Sequence, residues 1–85
     1  MSPRIYVGGL SVSTTDQQLG ELCAPYGTVK SACVSRSPIT DESFGFGFVE
    51  MGSAEEARNV IRALDGAQLK GQRLQSFYAP LNPPR

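Results

Sequence analysis

Between Phe44 and Met51 the chain reads Phe-Gly-Phe-Gly-Phe-Val-Glu-Met, so three of its four phenylalanines stand two residues apart. In an extended strand residues i and i+2 share a face. Phe44, Phe46 and Phe48 therefore lie on one side, with Gly45, Gly47 and Val49 on the other. A face made mostly of glycine is a poor core face, so the rings are expected to serve something other than packing. The chemistry open to a row of exposed rings is stacking. A flat π face holds an unstacked nucleobase at roughly 1–3 kcal/mol per base.

Other chemistries find little material. The chain has no histidine and two cysteines, Cys23 and Cys33, ten apart, with no C-x-x-C and no second pair for a zinc site. That density fits two reduced thiols in an intracellular protein better than a disulfide scaffold. No paired carboxylates stand at a strand end and no nucleophile stands beside a base, so an enzyme is not expected. A phosphate-cradling hydrolase loop after the first strand would need an arginine, and Gly8-Gly9-Leu10-Ser11 has none. No cofactor, metal or small-molecule substrate is implied.

The rings need elements to hold them. Arg4 to Leu10 reads as a short strand closed by a glycine turn, with Ile5 and Val7 on one face and Tyr6 on the other. Thr14 or Thr15 caps a helix whose stripe is Leu19, Leu22, Cys23 and Tyr26, ended by Pro25 and Gly27. Val29 to Ser35 is a second strand, with Ala32 and Val34 on one face and Cys33 and Ser35 on the other. Arg36 to Ser43 is a loop. After the Phe44–Met51 strand, Ser53-Ala54-Glu55-Glu56 is a capping box opening a second helix, with the stripe Ala57, Val60, Ile61 and Leu64. Asp65-Gly66 stops it, and a turn at Lys70-Gly71 leads to a last strand, Arg73 to Ala79. Arg58 and Arg62, four apart on the second helix, read as a solvated face.

The order β-α-β-β-α-β predicts an α+β, ferredoxin-like sandwich, a four-stranded antiparallel sheet with two helices on one face. Ile5, Val7, Ala32, Val34, Val49 and the helix stripes make the core. The middle strands are then the first and third, which brings Tyr6 beside the phenylalanines on the open face.

Eighty-five residues make one domain, with eight basic and eight acidic residues in balance. Neutrality argues against duplex DNA or an anionic membrane as partner. It leaves room for single-stranded nucleic acid held by stacking. No apolar run approaches the ~20 residues of a membrane span, and no signal peptide is visible. A soluble, cytoplasmic monomer is expected.

Ile5-Tyr6-Val7-Gly8-Gly9-Leu10 and Gly45-Phe46-Gly47-Phe48-Val49 resemble the two signature segments of the RNA-recognition motif, at that family's spacing. The resemblance covers roughly residues 3–80, leaving a short proline-containing tail at 81–85. In its compactness the chain is similar to the small single-domain bacterial members. It implies non-catalytic binding of single-stranded RNA, or of single-stranded DNA, with modest sequence specificity. Tyr6 and Phe48 would stack on neighbouring bases, and Phe46 would insert against the sugars between them. Around these, Phe44 and Phe77 are candidate further rings. Arg4, Arg36, Arg73 and Arg85 are candidate phosphate contacts, against the plainer reading of solubilising charge. Cys33 is a candidate base contact. Ser35 and Gln75, with backbone groups at Tyr78, Ala79 and Leu81, are candidate readers of base edges. Phe77 faces the sheet surface if Leu74 points inward, but Ser76 is then a poor inward residue and a bulge would reverse the assignment.

The chain departs from the family in ways that predict weak binding. Phe44 stands where members usually carry a lysine or arginine, Gly9 replaces a commoner asparagine, and Met51 an inward aromatic. Asp41 and Glu42 stand in a loop that is often basic. The same neutral, aromatic face would also suit a protein–protein contact, including a homodimer.

Overall fold

The computed structural model describes residues 3–69 and 71–79. The expected contacts at Leu81 and Arg85, and the tail at 81–85, lie outside the described residues. The chain forms β1 (Arg4–Gly8), α1 (Asp16–Cys23), a 3₁₀ turn (Ala24–Tyr26), β2 (Val29–Arg36), β3 (Ser43–Met51), α2 (Ala54–Leu64), β4 (Gln68–Leu69), β5 (Gln72–Arg73) and β6 (Gln75–Ala79).

Among the described residues the main sheet runs β2-β3-β1-β6, every neighbour antiparallel, and β4 pairs with β5 as a small separate hairpin. This is the ferredoxin-like α+β arrangement, with β1 and β3 in the middle. The inward residues of the sheet, Ile5, Val7, Val34, Val49 and Met51, pack with Leu19 and Cys23 of α1 and with Ala57, Val60 and Leu64 of α2. Ala32 is half-buried against this cluster, and Leu10 and Leu74 join it from the ends of the sheet. Met51 is wholly buried, so an unbranched thioether fills the inward place at the end of β3.

One open choice is resolved and two local expectations are corrected. Thr15, not Thr14, caps α1: its hydroxyl accepts from the Gln18 N–H while the Gln18 side chain accepts from the Thr15 N–H. Tyr26 leaves the helix stripe and is exposed, because Pro25 cannot extend the α-helical ladder and the chain tightens into a 3₁₀ turn. The last sheet strand starts at Gln75 rather than Arg73. Leu74 is buried, donates its N–H to the Ala67 carbonyl and accepts from the Gly66 N–H, which ties it to the end of α2 instead of to β1.

The second cap also differs from a simple box. Ser53 accepts from the Glu56 N–H, but the Glu56 carboxylate reaches across to accept from the Thr28 N–H and the Ser53 hydroxyl. It thereby joins the start of α2 to the start of β2. The Thr28 backbone bond, then the Ser53 bond, hold the Glu56 carboxyl below its usual range. A lowered folded-state pKa gives stability that is present above the unfolded value and lost as pH falls through the folded one. Glu56→Gln is therefore expected to lower the melting temperature at pH 7 and to make the melting temperature fall less steeply on acidification. Melting curves from pH 7 to pH 2 check this, and parallel curves for the two proteins would refute it.

Candidate nucleic-acid interface

The strand register sets the open face in rows. Phe77, Tyr6, Phe48 and Cys33 stand directly opposite one another across all four strands. The next row is Gln75, Gly8 and Phe46, and on the other side come Ala79, Arg4, Glu50 and Ser31. Alternation along β1 and β3 thus brings five rings from three strands into one surface.

The ring geometry is more specific than the register. Tyr6 stacks on Phe77 with centroids 4.6 Å apart and planes 17° apart, and on Phe46 at 5.4 Å and 29°. Phe44 continues the row from Phe46 at 6.3 Å and 19°. Phe48 turns edge-on to both Tyr6 (5.9 Å, 69°) and Phe46 (6.0 Å, 88°). Both geometries are the favoured ones for ring quadrupoles. The outcome is a row, Phe77–Tyr6–Phe46–Phe44, with Phe48 set across it. The middle rings are half-buried, whereas Phe44 and Phe77 are 57% and 51% exposed.

Gly8 is part of this construction. The Tyr6 ring leans along β1 above it, and a Cβ there would lie 2.7 Å from Tyr6 Cε1. Sequence reasoning missed this, although the signal was legible: Gly8 is two residues after Tyr6, on the same outward face. The Arg4 guanidinium lies 5.4 Å from the centroid of Phe48, a cation–π contact also not expected from sequence. Beside it, the Ser31 hydroxyl donates to the Glu50 carboxylate at 3.4 Å.

The remaining candidates divide. Phe77 faces the open surface in regular register. Ser76 does point inward, opposite Val7, and its buried hydroxyl has no partner among the described residues. The Ser76 N–H donates to the Asp65 carboxylate, which helps hold β6 in place. Gln75 is exposed on the ring side, next to Gly8. Cys33 is exposed opposite Phe48, and Ser35 is half-buried at a register shift between Val34 and Arg36. Tyr78 turns its side chain away from the rings, where its hydroxyl donates to the Ala54 carbonyl of α2 at 3.3 Å.

Two of the four arginines named as candidate phosphate contacts stand apart from the rings. The Arg36 guanidinium donates to the carbonyls of Thr14 and Asp41, each at 3.3 Å, so it braces two loops at the β2 edge. Arg73 sits in the β4–β5 hairpin beside Gly66, not in the main sheet. Cys23 is buried in the core, and burial pushes its thiol up to about 11, which keeps it protonated and unreactive.

Residues 5–75 match the RNA recognition motif family. A 33 kDa chloroplastic ribonucleoprotein of Nicotiana sylvestris is 48% identical over 69 residues, which is 81% of this chain and 21% of that protein. The putative RNA-binding protein RbpA of Nostoc sp. is 46% identical over 84% of this chain and 70% of its own length. The chain thus spans about a fifth of the first relative and most of the second. The crystal structure of RNA Binding Protein PG1 superimposes with a TM-score of 0.89 at 38% identity, covering 99% of this chain and 100% of that one.

These relatives correct one expectation. The names of several plant relatives place them in the chloroplast, so the cytoplasm does not follow from this sequence. A cellular address is read by receptors from targeting signals, to which charge balance and core residues are silent. Among the described residues no helix is long and apolar enough to cross a membrane.

Proposed function

The chain belongs to the RNA recognition motif family, and from that premise we propose that it binds single-stranded RNA, without catalysis, by stacking bases on the open sheet face. The observation that carries this reading is the five-ring surface spread across β1, β3 and β6. Tyr6 and Phe48 take neighbouring bases, and Phe46, between them in the second row, meets the connecting sugars. Cys33, Ser35 and Gln75 border the rings with groups that meet base edges, as do the backbone groups of Tyr78 and Ala79 at the end of β6. Arg4 is the cation nearest to this path, since it already rests on Phe48. The protein acts as a monomer, and single-stranded DNA competes for the same rings because stacking does not need the ribose hydroxyl.

The test is a titration with short RNA of mixed sequence, read by amide and ring proton shifts. Shifts centred on Tyr6, Phe46 and Phe48 are expected. No shift there with millimolar RNA would end this reading.

Affinity is modest, on the order of micromolar or weaker. A few stacked bases at roughly 1–3 kcal/mol each work against an association cost of roughly 4–15 kcal/mol. Phe44 is the informative position. Its ring is mostly exposed at the loop end of β3, where a cation would meet the backbone. Phe44→Lys is expected to tighten RNA binding. It should also steepen the slope of log affinity against log salt by about 0.7, the contribution of one single-strand phosphate. An unchanged slope would show that this position meets no phosphate.

A second reading rests on the same exposure. Phe44 and Phe77 leave apolar surface open at both ends of the row on a chain with no net charge, which suits a protein partner. Scattering mass that rises with concentration, together with an absence of RNA shifts, would favour it.

A further inference from the structure

If bases stack on Tyr6, they meet a half-buried ring that already stacks on two neighbours. Centroids 4.6 Å apart with planes 17° apart stack Phe77 on Tyr6, and Phe46, from the strand on the other side of β1, stacks on it at 5.4 Å and 29°. Two rings side by side in one plane would stand farther apart than this. The most exposed rings of the row are those at its ends, Phe77 and Phe44.

We propose that Phe77 is a gate on the base site at Tyr6: its ring occupies the face that a nucleobase must take, and RNA stacks on Tyr6 only after Phe77 swings away. The proposal rests on the reading of the open face as an RNA-binding surface and adds a step to it.

The fold allows the motion. Strand β6 is an edge of the sheet, with only β1 beside it, so nothing in the main sheet blocks the outer side of Phe77. The ring is 51% exposed, and among the described residues the ring it stacks on is Tyr6. Side chains move between staggered wells, not by small continuous steps. Clearing Tyr6 by the thickness of a base is therefore a rotamer change. It carries Phe77 off the edge of the sheet, and does not leave it as the second jaw of a clamp around the base.

Arg4 covers Phe48 in a comparable way but with a different consequence. When a base displaces the guanidinium, the charge can pair with the RNA backbone, so the lost contact is replaced. A displaced phenylalanine gains no such partner. The closed Phe77–Tyr6 stack thus lowers the fraction of molecules ready to bind, and the apparent affinity falls by that fraction.

The test compares wild type, Phe77→Ala and Phe77→Tyr, titrated with the same short mixed-sequence RNA. Phe77 is half-exposed on the open face, and dispersed amide spectra verify that each variant is folded. Removing a ring pair of ordinary strength is expected to tighten binding about two- to tenfold in Phe77→Ala. Phe77→Tyr keeps the stack and should bind like wild type. Binding by wild type with equal or weaker binding by Phe77→Ala overturns the gate and makes Phe77 an ordinary part of the platform or a clamp. If neither wild type nor Phe77→Ala shifts at Tyr6, Phe46 and Phe48, the RNA reading itself fails, and the gate fails with it.

Discussion

Phe48→Ala is expected to weaken binding of short single-stranded RNA by about five- to 150-fold, the loss of one base stack at roughly 1–3 kcal/mol. Phe48 lies at the crossing of the site. It faces Tyr6 on one strand and Cys33 on another, touches the Phe46 ring edge-on, and carries Arg4 above it. Its side chain points away from the core formed by Val49 and Met51, its neighbours in sequence and next but two. The fold therefore survives the substitution, and thermal melting should show a small change only. Arg4 loses its ring in the same variant, so part of its positioning is lost as well. Fluorescence anisotropy with labelled RNA, alongside a melt, separates the two effects. An unchanged dissociation constant in a folded variant would mean that no base rests on Phe48.

The pattern of effects expected across the face follows from how the rings touch. Tyr6 stacks on two rings, Phe48 carries a cation over its ring, and Phe44 is mostly exposed. Substitutions at these positions are therefore not interchangeable: losing Phe48 removes a base contact, removing Phe77 uncovers one, and changing Phe44 alters the salt dependence. A uniformly sticky apolar patch would predict the same direction at all three.

Much of this arrangement was legible in the sequence, and its limits have physical causes. The alternation of β3 and the helix stripes are local signals, repeated at the period of their own element. They sufficed to give the ferredoxin-like order and to put Tyr6 with the phenylalanines. The last strand was ambiguous because Leu74-Gln75-Ser76-Phe77 has no clean alternation. Only the register against β1, with Ser76 opposite Val7, resolves which side Phe77 takes. Charge alone does not tell where Arg36 and Arg73 reach: the Arg36 guanidinium, at the end of β2, donates to the Thr14 and Asp41 carbonyls, and Arg73 lies in the β4–β5 hairpin. The mutual stacking of Tyr6 and Phe77 joins residues 71 positions apart in the chain, a contact invisible to any local window.

The glycine face of β3, which first set the rings apart, carries the largest expected effect on stability. Gly47 is buried on the helix side, opposite Val7 on one strand and Val34 on the other. A Cβ at this position would lie 2.6 Å from the Cys33 carbonyl oxygen, 2.8 Å from Leu19 Cδ2 and 3.1 Å from Val34 Cα. Two of these three neighbours are backbone, which cannot turn aside, and the third is a wholly buried leucine of α1. The absence of a side chain is thus what lets α1 settle onto the sheet. Glycine at this position also costs packing that a larger residue would give elsewhere in a strand, so its presence reflects the close approach and not a strand preference. Gly47→Ala is expected to destabilise the fold by about 1–3 kcal/mol through overpacking. Urea denaturation would show this as a lower midpoint at similar slope. Because Phe46 and Phe48 flank the site on the opposite face, a strand pushed off α1 also disturbs their spacing, and RNA binding should weaken while the rings themselves remain. A Gly47→Ala protein as stable as wild type would mean that α1 and β3 adjust freely, and that the glycines of this strand have no bearing on how the rings are held.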